Sequence, residues 1–252
     1  MYDLSNFTTV DAAKCGRQVR SLGSQALTME EAANNVVRFF FDNFSERRSD
    51  AKACVLVRLF KTHSYSELGD DLKTFARNMH DGCEHMQDPK CFTLLATRGI
   101  NPEWNLRRHS MGHQAIPLPS ARVVESIPMM RNMIKQMGLE INSVINPDPA
   151  IVMDLSQRTY NVFCVPDAVG SPYVPAQEKF VKPFGVKSVL GVGGVLPSGN
   201  VFTLIIFART SVSREVADRF TPLALNIKMA MLPFENLVFA GEVAGNEHVA
   251  KA

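Results

Sequence analysis

The stretch KSVLGVGGVLPSGNVFTLIIFA, residues 187–208, decides the fold. Both of its halves are built from Val, Leu, Ile and Phe, residue types that suit a pleated, buried surface. Between them PSGN offers four turn formers in a row, so the stretch predicts a β-hairpin with strands over 187–196 and 201–208. A hairpin places antiparallel neighbours at the centre of the plan, and the flanking segments extend it.

Working upstream, YNVFCV (160–165) is a strand, followed by the Gly/Pro-rich loop PDAVGSPYVP and a short helix AQEKFVKPFG closed by Pro183 and Gly185. Two more strands are expected in ACVLVRLFKTH (53–63), a central strand buried on both faces in one half, and KCFTLLAT (90–97). Between them Leu68, Leu72, Phe75 and Met79 recur at helical spacing. RHSMGHQAIPLPS is a polar loop ending in a short extended piece, because Pro117 and Pro119 withdraw backbone donors.

Helices occupy the rest. Thr28 caps TMEEAANNVVRFFFDNF, with Glu31 three residues on and Met29, Ala33, Val36, Val37, Phe40 and Phe44 on one face. Phe39 and Phe41 lie off that stripe and imply a second contact, a partner subunit being one candidate. Ser120 caps 121–141, where Pro128 predicts a kink or a break, and Pro149 starts another helix. The last long helix opens at Ser213, and Pro222 within it predicts a bend without an end. Helix and strand order together give an α+β plan: a five- or six-stranded antiparallel sheet, helices packed on one face, and terminal helices available for dimerisation. The chain divides into an N-terminal arm (1–27), a domain (28–235) and a flexible C-terminal tail (236–252).

Composition excludes several classes. The chain has 252 residues, 46% of them apolar and 21% charged, enough for a sizeable core. Its 27 basic and 25 acidic residues are scattered, so no stripe is available for nucleic acid. No signal-like or membrane-spanning run is visible, and the odd, irregularly spaced five cysteines suit a reducing compartment, so the cytoplasm is expected and a membrane is not.

Three segments carry a family resemblance. VPDAVGSPYV resembles the strand-then-Asp segment of GAF domains, FGVKSVLGVGGVLPSGNVFTLIIFA is similar to their Gly, hydrophobic, basic, Ser pattern and hairpin, and SVSREVADRFTPLALNIKMAML looks like their closing helix. The match covers roughly residues 28–232. The middle portion resembles a bacterial subgroup found N-terminal to PAS, histidine kinase or diguanylate cyclase domains. The resemblance implies a cytoplasmic sensory domain of signal transduction, such as a two-component system. Its partners would be an unidentified small-molecule ligand, a downstream signalling domain, and a second copy packed through helices 28–44 and 213–235. The alternative is a ligand-free dimerisation module. Signatures of the better-understood classes are missing: no Asn-Lys or Asp-Glu dipeptide for cyclic nucleotides, and no Cys followed by His for a bilin.

Candidate pocket residues come from two loops and a strand. Trp104, Arg108 and His109 combine an aromatic face with cations that could meet an anionic or aromatic ligand. His109 and His113 are four apart, which on a helix would suit a metal or haem, with His113 the haem ligand of choice. Gly112 and the following prolines favour instead a loop that lines a pocket. Tyr160, Asp167 and Tyr173 belong to the strand and the loop after it, where Asp167 either faces the ligand or accepts backbone N–H groups in the turn at Gly170. Gly193, within GVGG, marks a bulge or a close approach to the sheet. His80, Cys83, His85 and Cys91 are chemically a zinc set, but their spacing fits no usual site. Ser110 stands too close to both histidines to specify a catalytic triad, and no nucleophile elbow exists, so no enzyme is expected.

Overall fold

The computed structural model describes residues 1–46, 51–80 and 87–240. Six strands form one antiparallel sheet: β3 (Cys54–Ser64), β4 (Lys90–Gly99), β5 (Ala115–Leu118), β6 (Phe163–Val165), β7 (Ser188–Val195) and β8 (Val201–Ala208), in the spatial order β5-β4-β3-β8-β7-β6. The hairpin read from residues 187–208 is β7 and β8, paired without a break from Val195↔Val201 to Ser188↔Ala208. Gly199 closes it at φ +80°, a conformation glycine adopts without a steric cost. A two-stranded parallel pair, β1 (Tyr2–Asp3) with β2 (Phe44–Ser45), lies apart from the sheet.

β7 carries no bulge, so GVGG serves close approach, and the groups that approach are the protein's own. A side chain on Gly191 would meet the Phe163 ring at 3.0 Å, and one on Gly193 would meet Met137 Cε at 3.0 Å and Phe202 O at 2.1 Å. The only register shift between β3 and β4 lies at Leu59/Phe60 and inserts Leu95 as an extra residue in β4.

The sheet separates two cores. On one face pack α1 (Thr9–Ser21), α2 (Met29–Asn43) and α10 (Thr221–Met231), with Phe7, Phe40, Phe44 and Phe220 completely enclosed. Phe7 and Phe220 lie 4.3 Å apart between centroids, and Phe40 stacks on Phe44 at 5.5 Å. Each such ring contributes roughly 1.5–3 kcal/mol by leaving water. The second core is covered by α4 (Ala121–Ser126), α5 (Pro128–Met137), α6 (Ile141–Ile145), α7 (Pro149–Gln157) and the turn around α8 (Lys182–Phe184). α3 (Asp70–Met79) lies beside β5, and α9 (Arg214–Asp218) precedes α10.

Several expectations change. The first 27 residues are more than an arm: Thr8 and Asp11 form a reciprocal capping box, and α1 packs along α10, where a side chain on Gly16 would meet Asn226 Nδ2 at 2.6 Å and one on Gly23, in the turn after α1, would strike Ala230 O at 2.1 Å. At the other end Leu237 O and Val238 O accept Met29 N and Glu30 N, so the chain beyond residue 235 straps the start of α2. Residues 241–252 of the expected tail lie outside the described residues. The second side of α2 is met by this same chain, with Lys52 over the Phe41 ring and Asn35 donating to Leu22 O. Pro128 breaks its helix, becoming the first residue of α5. Pro222 also sits at a break, as the second residue of α10, because its missing N–H is tolerated in a first turn, and the closing helix is therefore α9 and α10 rather than one bent rod. The strand expected from Tyr160 starts only at Phe163. Before it, Asn161 N turns to Met137 O, and Gln136 clamps Cys164 by accepting its N–H and donating to its carbonyl.

Candidate functional site

On the face of the sheet away from α1, α2 and α10 lies a cavity of about 490 Å³, within the usual size of a small-molecule site. Alternation along the strands supplies its floor. Leu56, Arg58 and Phe60 point into it from β3, with Phe92 from β4 and Ile205 and Phe207 from β8. Phe60 stacks on Phe92 at 4.6 Å and 9°. One wall is Ile127 with Met129, Met130 and Met133 of α5, whose thioethers adapt to irregular shapes. Opposite stand Trp104 and Phe180, ring edge to ring face at 5.5 Å. Gly99 lets Trp104 sit where a side chain would come within 2.8 Å of the indole, and Thr97 Oγ1 donates to Trp104 O. The loop from His109 to His113, with Glu103 and Lys179, forms the mouth.

Three polar groups interrupt this apolar lining. Arg58 sits mid-strand between Ile205 and Thr97, and its Nε is enclosed with no hydrogen-bond acceptor. Burial pulls its guanidinium down to about 10, still charged at neutral pH. Ser110 Oγ is also enclosed without a partner. His113 is exposed at the mouth, with part of its ring against the cavity wall. Burial first, then the charge of Arg58, lowers its pKa to about 4, so it is a neutral imidazole at pH 7.

Of the residues singled out from the sequence, the cavity brings together Trp104, His109 and His113. The others stand elsewhere. Arg108 is exposed and faces Asp71 at 3.8 Å. Tyr160 is buried in the second core, donating to Leu155 O at 2.7 Å. Asp167 is exposed and forms no bond to the turn; Gln177 does that work, accepting Gly170 N and donating to Ala168 O and Val174 O. Tyr173 stays on the outer surface, and from that loop only Pro175 reaches the cavity. Gly193 is covered by Met137. His109 and His113 do not share a helix, since the short 3-10 turn ends at His109. Cys83 and His85 lie outside the described residues, Cys91 is buried in β4, and no group of three metal-ligating side chains occurs among the described residues. Burial raises the Cys15 and Cys54 thiols to about 12 and the Cys164 thiol to about 11, so none is a ready nucleophile.

Sequence reasoning missed Arg58 and Ser110. The signal for Arg58 was present: a lone cation inside ACVLVRLF interrupts an otherwise apolar run, and such a residue must either face water or find a use.

No model of a known protein family matches this sequence, and no characterised protein matches it significantly. Solved structures do resemble it at low identity. The GAF domain of a phosphoenolpyruvate-protein phosphotransferase from Coxiella burnetii is 14% identical, with 88% of this chain and 92% of that one covered and a TM-score of 0.41. The phycocyanobilin-bound GAF domain of a cyanobacterial phytochrome is 9% identical over 88% and 94%, with a TM-score of 0.42. The N-acylhomoserine lactone-dependent transcription factor CepR2 of Burkholderia cenocepacia is 10% identical over 89% and 98%, at 0.38. Likeness at this level does not extend to ligand or activity. No helix among the described residues is long and apolar enough to cross a membrane.

Proposed function

We propose that this chain is a sensory domain of the GAF type, regulatory rather than catalytic. It takes a largely apolar small molecule into the cavity over β3 and β8 and passes the change to its terminal helices and a downstream signalling domain. The observation that carries the reading is the cavity itself, walled by adaptable Met side chains and set on the sheet face opposite α1, α2 and α10. The strands connect the two sides at the shortest range available. Leu56, Arg58 and Phe60 face the cavity, while Val57 and Leu59, one residue away, pack in the helical core. A ligand that fits one arrangement of the floor better than another shifts the population of helix positions on the far side.

Haem, the cofactor weighed for His113, suits these residues poorly. Its propionates leave the edge of the macrocycle, whereas Arg58 stands close enough to His113 to lower its pKa, so iron on His113 would leave Arg58 unused. A second reading, a ligand-free dimerisation module, is favoured by Val10 and Leu225, which are 62% and 63% exposed on α1 and α10.

The test is binding of a neutral fluorescent probe, N-phenyl-1-naphthylamine, together with the native mass of the chain as purified. The sensor reading expects the probe to bind with a blue shift, or a retained molecule to be displaced, and Ile116→Trp to abolish either by filling the cavity. Indifference of the protein to probe and variant alike would leave the dimerisation module.

A further inference from the structure

We infer that the ligand is an amphipathic carboxylate, its acid group held by Arg58, Ser110 and His113 and its apolar body by Phe60, Phe92 and Met133. The inference rests on the sensor reading above and deepens it. Arg58 is a half-buried cation at the middle of an apolar floor, and its Nε is enclosed with no acceptor. Among the described residues two other guanidinium groups have enclosed nitrogens, and one of the two is paired within the chain. Arg107, more deeply buried than the half-buried Arg58, has Glu30 Oε1 at 2.6 Å from its Nε and the Phe239 ring at 4.4 Å. Arg98 Nε is enclosed without an acceptor too, but its strand partner Val57 belongs to the helical face, away from the cavity. An isolated buried charge is costly unless paired, so the unpaired cation that lines a cavity is the one a ligand can complete.

The chemistry of the polar end selects the class. A planar guanidinium suits a carboxylate through two parallel N–H donors. Ser110 Oγ adds a hydroxyl donor and neutral His113 one N–H. With one cation inside, a monoanion is neutralised, whereas a phosphate monoester would keep a net negative charge in an apolar site. The remaining charged or titratable groups on the lining, Glu103, His109 and Lys179, are exposed at the mouth, as is His113.

The experiment is isothermal titration of the full chain with decanoate, decanamide and decyl phosphate, on the wild type and on Arg58→Met. Wild type is expected to bind decanoate about tenfold or more tighter than the amide, and Arg58→Met to bind the two alike. An apolar isostere of a buried, unpaired ion is neutral or stabilising, so the variant should fold; should it not, Ser110→Ala carries the same comparison. A second readout follows His113 by NMR. Decanoate should raise its pKa from about 4 towards the ordinary range by offsetting Arg58, which a purely apolar ligand would not do. Equal wild-type affinity for acid and amide overturns the inference, and preference for decyl phosphate overturns the carboxylate. If N-phenyl-1-naphthylamine binds and decanoate does not, the sensor reading survives and this one fails. If nothing enters the cavity, both fail.

Discussion

His63, near the end of β3, is 3% exposed, with the Phe239 ring 6.0 Å away. Burial, then the neighbouring Lys61, holds its pKa well below 6.5. Between that folded value and 6.5 the unfolded chain binds a proton that the folded chain does not, so stability rises with pH through this window and is lost as pH falls. His63→Leu removes the titration and the buried polar ring together. Urea midpoints should show it gaining about 1–2 kcal/mol over wild type near pH 5 and less at neutral pH. Parallel pH profiles for the two proteins would contradict this. At this scale the sequence was a partial guide. Trp104, His109 and His113 stood out because rare or titratable residues clustered in one loop, and all three line the cavity. Arg58 was hidden because a strand's alternation says which residues share a face, not whether that face is packed or open.

Elements were more legible than their junctions. The hairpin, the central strand and the cap at Thr28 all follow from local chemistry: branched residues flanking turn formers, and a hydroxyl that accepts Glu31 N at 3.2 Å. Pro222 misled because a proline inside a continuous apolar stripe costs the same hydrogen bond whether the helix bends or restarts, and only packing chooses between them. α1 was missed because its close fit to α10 leaves little trace beyond Gly16, facing the Asn226 side chain, and Gly23 in the turn after α1, facing Ala230 O. Gly23→Ala should therefore push that turn off α10 and cost about 2–4 kcal/mol, read as a fall in Tm. Gly112→Ala, where a side chain would meet nothing within 4 Å, should change Tm by little. Lys228 ties layers rather than neighbours: from α10 its Nζ donates to Ser156 O at 2.6 Å in α7 and to Val195 O at 2.9 Å in β7. Lys228→Met strands both carbonyls and should cost about 1–3 kcal/mol in urea denaturation. An unchanged midpoint would mean water replaces the ammonium without loss.

For the whole molecule, the face taken by the terminal helices was readable from element order, but helices were expected on that face alone and α4, α5, α6 and α7 cover the other. What the terminal helices leave exposed was not readable. α2 packs on β3, β4 and α10 and is strapped at its start by the chain beyond residue 235, while α10 and α1 each present an exposed apolar side chain. A single exposed leucine is ordinary, but Leu225 lies on the helix that the proposed signal must leave by, and Val10 is exposed on the helix packed against it. If two copies meet there, the apolar side chain at the centre of the contact carries a disproportionate share of the affinity. Leu225→Lys should then weaken self-association by about tenfold or more, followed by light scattering on dilution. The stability of each copy should shift by no more than about 0.5 kcal/mol, because the side chain is already in water in the single chain. A wild type that scatters as one chain at every concentration removes the dimer. Loss of association together with a large fall in Tm would place Leu225 in the fold and not in the contact.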